Sequence, residues 1–190
     1  MAQARLFEVP KEEVKFPPGF RYQPDFISVD EERKLLEAFK NLPLETWHYK
    51  GYESKKKMKG FDRKRGFPTF FLPIIKRIAA FAGILPSHLE HALVAEYSPG
   101  TGIGWHRDHH EPRYQKIIGI SLGSPAVFRL RQLPQKFDAK SNKRKWNRFS
   151  ITAEPRSIYI MSGESISRWQ HSVAPVTNFR YSLTIRTLEK

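Results

Sequence analysis

The chain of 190 residues contains no cysteine, which excludes a disulfide framework, a cysteine-ligated zinc site and a thiol nucleophile. Long apolar runs are also missing. The longest stretches without a charged side chain, 78–89 and 117–128, have 12 residues each, short of the ~18 needed to span a bilayer. No apolar segment follows Met1, and Arg5 and Glu8 come early, so we expect no secretory signal and an intracellular protein, cytoplasmic or, in a eukaryote, nuclear. Acidic residues are scarce as well: 19 Asp+Glu face 33 Lys+Arg, a formal net charge of +14. Internal repeats and low-complexity linkers are absent. The length suits one domain, and a core of that size needs no covalent staples.

The positive charge is concentrated. Residues 50–65 hold eight Lys/Arg against two acids, and residues 136–148 hold six against Asp138, together 11 of the 14 net charges. Tyr49, Tyr52 and Phe61 accompany the first cluster, and Phe137, Trp146 and Phe149 the second. Cations neutralise phosphates and aromatic faces stack on unpaired bases, so the mixture suits single-stranded or locally opened nucleic acid. Other polyanions, acidic proteins or anionic lipid would satisfy the same charge, and a solvated loop is the structural alternative.

Ser28 followed by Asp30, Glu31 and Glu32 predicts a helix start, with Leu35, Leu36 and Phe39 on one face and a stop at residues 41–43. A second helix is expected after Pro73, with Ile74, Ile75, Ile78 and Phe81 as its buried stripe and Gly83 near its end. Beyond residue 90 short β-rich runs predict strands near 90–97, 116–122, 126–131, 149–151, 157–161 and 181–187. The expected class is α+β, mainly β: a closed or sandwiched β core with helices packed outside.

His106-Arg107-Asp108 follows a glycine-rich loop, and on extended chain residues i and i+2 project to one side. An imidazole and a carboxylate could therefore share one ion. With His171 downstream, two histidines and one carboxylate make the donor set of a non-haem Fe(II) site; a surface His-Asp pair is the plainer alternative. On the run 180–186 the even positions Arg180, Ser182, Thr184 and Arg186 would share one strand face. Two guanidinium groups on an interior face call for anions, such as a dicarboxylate cosubstrate, and Asp108 could pair with one of them.

These segments, with Tyr97-Ser98-Pro99-Gly100, the run 118–128, Met161-Ser162-Gly163-Glu164-Ser165, His171 and the strand 180–186, resemble the AlkB family of Fe(II)- and 2-oxoglutarate-dependent dioxygenases over about residues 90–188. The resemblance implies a double-stranded β-helix, or jelly roll, over 90–188. Residues 1–89 would form N-terminal helices and a basic nucleotide-recognition lid, all within a single catalytic domain, 1–190. It implies Fe(II), 2-oxoglutarate and O2 as cofactors. His106, Asp108 and His171 become iron ligands, Arg180 the partner of the distal cosubstrate carboxylate, Arg186 a neighbour of its metal-bound end, and Tyr97 a hydrogen-bond donor to it, with Ser182 and Thr184 on the same face. Where the family often has Asn, this chain has Ala95 and Ser182, which implies a weaker or differently held cosubstrate.

For the substrate pocket the resemblance points to Met161, where an aromatic residue often stands, and to Tyr49, Tyr52, Lys55, Lys56 and Lys57 on the lid side. Trp169 is read as a second wall or as core. His109 and His110 are expected at the entrance or in solvent, and His48, His88 and His91 in structural or surface roles. The implied activity is oxidative demethylation of N1-methyladenine and N3-methylcytosine in single-stranded or flipped-base DNA, with RNA as a second polymer, by a monomer without membrane contact. Formaldehyde, succinate and CO2 would be released. Two alternatives remain open at this point: the same iron chemistry on tRNA, a protein or a small molecule, and a non-catalytic basic nucleic-acid-binding module.

Overall fold

The computed structural model describes residues 15–49, 52–108, 114–132 and 146–188. Strand β1 (Phe20–Gln23) leads to helix α1 (Val29–Lys40), then a hairpin of β2 (Glu45–Tyr49) and β3 (Tyr52–Asp62) leads to α2 (Leu72–Ala82). There follow β4 (Leu89–Tyr97), β5 (Ile103–His106), β6 (Tyr114–Leu122), β7 (Ala126–Gln132), β8 (Asn147–Ala153) and β9 (Ile158–Ser162). The short helix α3 (Glu164–Ser167), β10 (Gln170–Val173) and β11 (Arg180–Leu188) complete the chain. A seven-stranded sheet, ordered β1-β9-β6-β11-β4-β3-β2, faces a four-stranded one, β5-β10-β7-β8, and the pairs are antiparallel. This is a jelly roll. Among the described residues no helix is long and apolar enough to cross a membrane.

The large sheet separates two apolar clusters, and strand alternation sorts side chains between them. Tyr181, Leu183 and Ile185 of β11 join Val94, Ile118, Ile120, Ile158 and Ile160 against Leu35, Phe39, Ile74 and Ile78 of the helices. On its other side Ala95, Tyr97, Ile117, Tyr159 and Met161 meet Phe128, Leu130 and Val173 of the small sheet. A period of two thus sends every second residue of β11 toward the helices and the rest between the sheets.

The helices follow local chemistry. Ser28 Oγ accepts from the Glu31 amide (3.2 Å) and Glu31 Oε2 accepts from the Ser28 amide (2.8 Å), a reciprocal cap. At the end of α2, Gly83 takes φ +65°, and its amide and that of Ile84 donate to the carbonyls of Ala80 and Ala79. Ile74 and Ile78 are buried as expected, but Ala79 and Ala82 complete the stripe, whereas Ile75 and Phe81 flank it partly buried.

The N-terminal helices pack outside the β core as expected, but β1, β2 and β3, which lie before residue 90, are strands of the large sheet itself. From Lys57 to Asp62, β3 pairs with β4. A backbone ladder to β4 holds this segment, with Met58 and Phe61 packed against the two apolar clusters. In Lys55-Lys56-Lys57-Met58-Lys59 alternation is invisible because long lysine stems cover apolar surface while their ammonium groups reach water.

Candidate active site

Between the sheets lies a cavity of about 490 Å³. The small sheet supplies one wall. His106 ends β5, and its Cα partner on β10 is His171; the two rings lie 4.1 Å apart, centroid to centroid. Asp108 follows two residues on, its Oδ1 3.6 Å from His106 Nε2. One donor atom from each of His106, Asp108 and His171 lies within 4.8 Å of the others. His106 Nδ1 sits 2.9 Å from the Gly104 carbonyl, which can only accept, so Nδ1 carries the proton and the Nε2 lone pair is free for the site. His171 stacks on Phe128 (5.7 Å, 20°), and its Nδ1 is buried without a partner. Burial, reinforced by His106, lowers the His171 pKa to about 4, so the imidazole is neutral at pH 7. Burial alone would raise the Asp108 pKa; the charge of Arg186 and its hydrogen bond to the carboxylate outweigh it and hold Asp108 below its ordinary value. A neutral His171, the Nε2 edge of His106 and an ionised carboxylate, with a buried nitrogen unsatisfied, fit a divalent metal.

The large sheet supplies the opposite wall. Arg180, Ser182, Thr184 and Arg186 all line the cavity, beside Leu93, Ala95 and Tyr97 of β4. Arg180 is 1% exposed. Its Nε donates to Ser121 Oγ (3.1 Å), its guanidinium lies 4.9 Å over the Tyr97 ring, and its Nη1 has no partner. A buried cation with an unsatisfied donor and no carboxylate is unfavourable by itself. The dicarboxylate cosubstrate fits this place. Arg186 is engaged differently: its Nη2 donates to Asp108 Oδ2 (3.3 Å) and its guanidinium lies 5.2 Å over Tyr114. This pair links the two walls.

The remaining predicted residues divide. Met161 (1% exposed) lines the cavity, as does Lys56, whereas Lys55 and Lys57 occupy the opposite, exposed face of β3. Of the three lysines expected to act together, alternation therefore brings one to the site. Trp169 packs in the inter-sheet core. The side chains of Tyr49, Tyr52 and His48, and all of His109, His110 and residues 136–145, lie outside the described residues. His91 lies 3.6 Å from Asp62, away from the cavity.

Among the lining residues that escaped the sequence reading are Tyr159 and Trp105. Tyr159 stands opposite Gly119, where a Cβ would lie 2.2 Å from its Cζ, so its ring lies flat across the strand only because that position is glycine. Burial pushes its hydroxyl up to about 12, and it stays protonated. A glycine in mid-strand was the available signal. Trp105, adjacent to His106, also lines the cavity; being next to a ligand candidate was its only mark.

The chain belongs to the 2OG-Fe(II) oxygenase superfamily, whose sequence pattern matches residues 3–186. Within that class its relatives lie in the AlkB family. It is 30% identical over 179 residues to an Arabidopsis thaliana protein named alkylated DNA repair protein ALKBH8 homolog, covering 82% of this chain and 51% of that one. It is 26% identical over 168 residues to the Danio rerio probable RNA/DNA demethylase ALKBH6, covering 84% and 71%. A Xenopus tropicalis tRNA (carboxymethyluridine(34)-5-O)-methyltransferase alkbh8 is 27% identical over 172 residues, of whose length only 26% is covered. The chain thus spans from about a quarter to about half of the ALKBH8-type relatives. The fold is shared with OsALKBH1 (TM-score 0.63, 17% identity, 91% of this chain and 100% of that one). It is shared equally with a Pseudomonas putida prolyl-4-hydroxylase (TM-score 0.65, 16% identity, 90% and 93%). Residues 3–186 are accordingly a 2OG-Fe(II) oxygenase domain, a class that works with Fe(II), 2-oxoglutarate and O2, and His106, Asp108 and His171 are its candidate iron ligands.

Proposed function

We propose that this dioxygenase demethylates N-alkylated nucleobases, first N1-methyladenine and N3-methylcytosine, in single-stranded or flipped-base DNA, with RNA as a second polymer. The observation that carries the proposal is the spare part of the cavity. Once His106, Asp108 and His171 hold iron and Arg180 grips a carboxylate, Met58, Met161 and Tyr159 remain to pack against a flat ring, with Lys56 at hand for a phosphate. The names of the Arabidopsis and zebrafish relatives support the same substrate class.

When bound, Fe(II), 2-oxoglutarate and O2 supply the oxidation: the cosubstrate becomes succinate and CO2, and the hydroxylated alkyl carbon leaves as formaldehyde. The protein's part is placement. Arg180 and Tyr97 hold the distal carboxylate, Arg186 keeps Asp108 ionised, and the Gly104 carbonyl sets the His106 tautomer. Phe128, Ile117 and Val173 exclude water. A base inside a duplex cannot reach these atoms, so the substrate is unpaired or flipped, most cheaply where methylation already blocks pairing.

The decisive experiment is mass spectrometry of short DNA and RNA oligonucleotides bearing one N1-methyladenine or N3-methylcytosine, incubated with protein, Fe(II), ascorbate and 2-oxoglutarate. Loss of the methyl mass that a chelator prevents is the expected result. Succinate formation without methyl loss would overturn the substrate and leave the iron site intact. The tRNA-directed relatives make methylated tRNA the second substrate to test.

A further inference from the structure

The four-stranded sheet has a second face. While Phe128, Leu130 and His171 point inward, the alternate positions of β7, β8 and β10 place Arg129, Arg131, Arg148, Ser150, Gln170 and Ser172 together on the outside. Arg129 Nε donates to Ser172 Oγ (3.0 Å) and Arg131 Nε to Gln170 Oε1 (2.7 Å), so both arginines are held by one edge of the guanidinium. Arg131 lies between two indoles, 4.4 Å from Trp105 and 4.2 Å from Trp146, and Arg129 is 5.2 Å from Trp105. A second cavity of about 290 Å³ opens here, lined by Trp105, Arg129, Arg148, Phe149 and Ser150 besides Leu130.

This arrangement is costly in isolation. Arg131 and Arg148 are direct cross-strand partners, and like charges in that relation repel. No carboxylate among the described residues pairs with Arg129, Arg131 or Arg148. An anion between them would remove the repulsion, and fork-shaped guanidinium groups suit phosphate oxygens. Indoles beside them offer stacking planes for bases. Trp105 lines both cavities, so a strand on the outer face continues to the mouth of the catalytic one. The stretch joining β7 to β8 adds five Lys/Arg against Asp138 at the level of sequence.

We infer that the outer face of the small sheet, centred on Arg131, Arg148 and Trp146, binds phosphates and bases of a single-stranded nucleic acid beyond the immediate neighbours of its target nucleotide. The inference rests on the proposed nucleic-acid substrate and adds where the polymer lies. An acidic polypeptide would satisfy the charge but not the paired indole planes, so the polynucleotide is favoured.

The test combines two probes. Fluorescein-labelled single-stranded DNA and RNA of about 15 nucleotides report binding by anisotropy across a salt series, and a trinucleotide methylated at its centre, which carries only the immediate neighbours, reports turnover without the outlying chain. Arg148→Glu, at an exposed position, should weaken binding of the long probe about 10-fold and flatten its salt dependence. Arg131→Lys, which keeps the charge but loses the planar stack, should weaken it about 3-fold. Trinucleotide turnover should be unchanged in Arg148→Glu, and Lys34→Glu, a matched reversal on α1, should change neither readout by more than about 2-fold. Unaltered long-probe affinity in Arg148→Glu, or an equal loss on the trinucleotide, overturns the inference. Polyglutamate that competes as well as the oligonucleotide and is weakened by the same variants would assign the face to acidic protein instead. The binding measurement needs no demethylation, so a wild-type protein that removes no methyl group sinks the proposed function alone.

Discussion

The two walls of the cavity carry opposite chemistry. The small sheet contributes His106 and His171 on a background of Phe128 and Val173, donors that must be neutral to bind a metal. The large sheet contributes Arg180, Arg186 and Lys56, which are cations. The Arg186–Asp108 ion pair crosses between them. Keeping the guanidinium of Arg180 on the far wall lets the site hold a cation and an anionic cosubstrate together without the arginine repelling the metal. The difference teaches that the jelly roll serves here as a separator: one sheet presents uncharged donors, the other cations, and the cavity is what lies between.

The largest effect should come from the small-sheet wall. Replacing His106, Asp108 or His171 by Ala should reduce succinate formation to background, at least about 100-fold, while oligonucleotide binding and the circular dichroism spectrum persist. Fe(II) binding measured directly should fall with it; full turnover in any of the three would break the division of labour.

On the opposite wall the expected change splits. Arg180→Met removes charge-assisted hydrogen bonds worth roughly 3 kcal/mol, so KM for 2-oxoglutarate should rise about 100-fold. The melting temperature of the cofactor-free protein should hold or rise, because an unsatisfied buried cation has gone. A fall in both would mean that Arg180 is structural.

Gly119→Ala probes the floor between the walls. Its Cβ would collide with the Tyr159 ring, and overpacking of this kind costs about 1–3 kcal/mol. The double variant with Tyr159→Leu should recover most of the lost melting temperature; no recovery would place the strain elsewhere.

The smallest effect is one of pH. The folded pKa of His171 is lowered to about 4 from an ordinary 6.5, so between those values the unfolded chain binds the proton that the folded one excludes. The resulting stability is fully present above about pH 6.5 and is lost as pH falls toward 4, at up to about 1.4 kcal/mol per pH unit. Thermal melts of metal-free protein at pH 7, 6 and 5 should decline, and His171→Leu should flatten the decline; equal slopes would show that another group titrates.

Much of the site was legible along the chain. His106 and Asp108 are two residues apart on extended backbone, and the period of two in 180–186 placed four side chains on one face. Less legible was β3, where lysine stems conceal the alternation that separates Lys56 from Lys55 and Lys57. Tyr159 was hidden because its place depends on Gly119 of another strand. Trp169 and Trp105 had equal claims by proximity to a histidine, and only packing told them apart.

The sequence by itself determined which donors exist, their local spacing, the helix caps at Ser28 and Gly83, the absence of thiol chemistry and the excess of positive charge. These are properties of near neighbours, decided by backbone geometry and side-chain type. The tertiary structure decided which donors meet: that His171 lies across from His106, that Arg186 rather than Arg180 takes Asp108, and that Arg131 and Arg148 face one another outside. Those pairings depend on strand register between segments far apart in sequence, and register is set by hydrogen-bond ladders and burial on both faces of a sheet, which no local pattern contains.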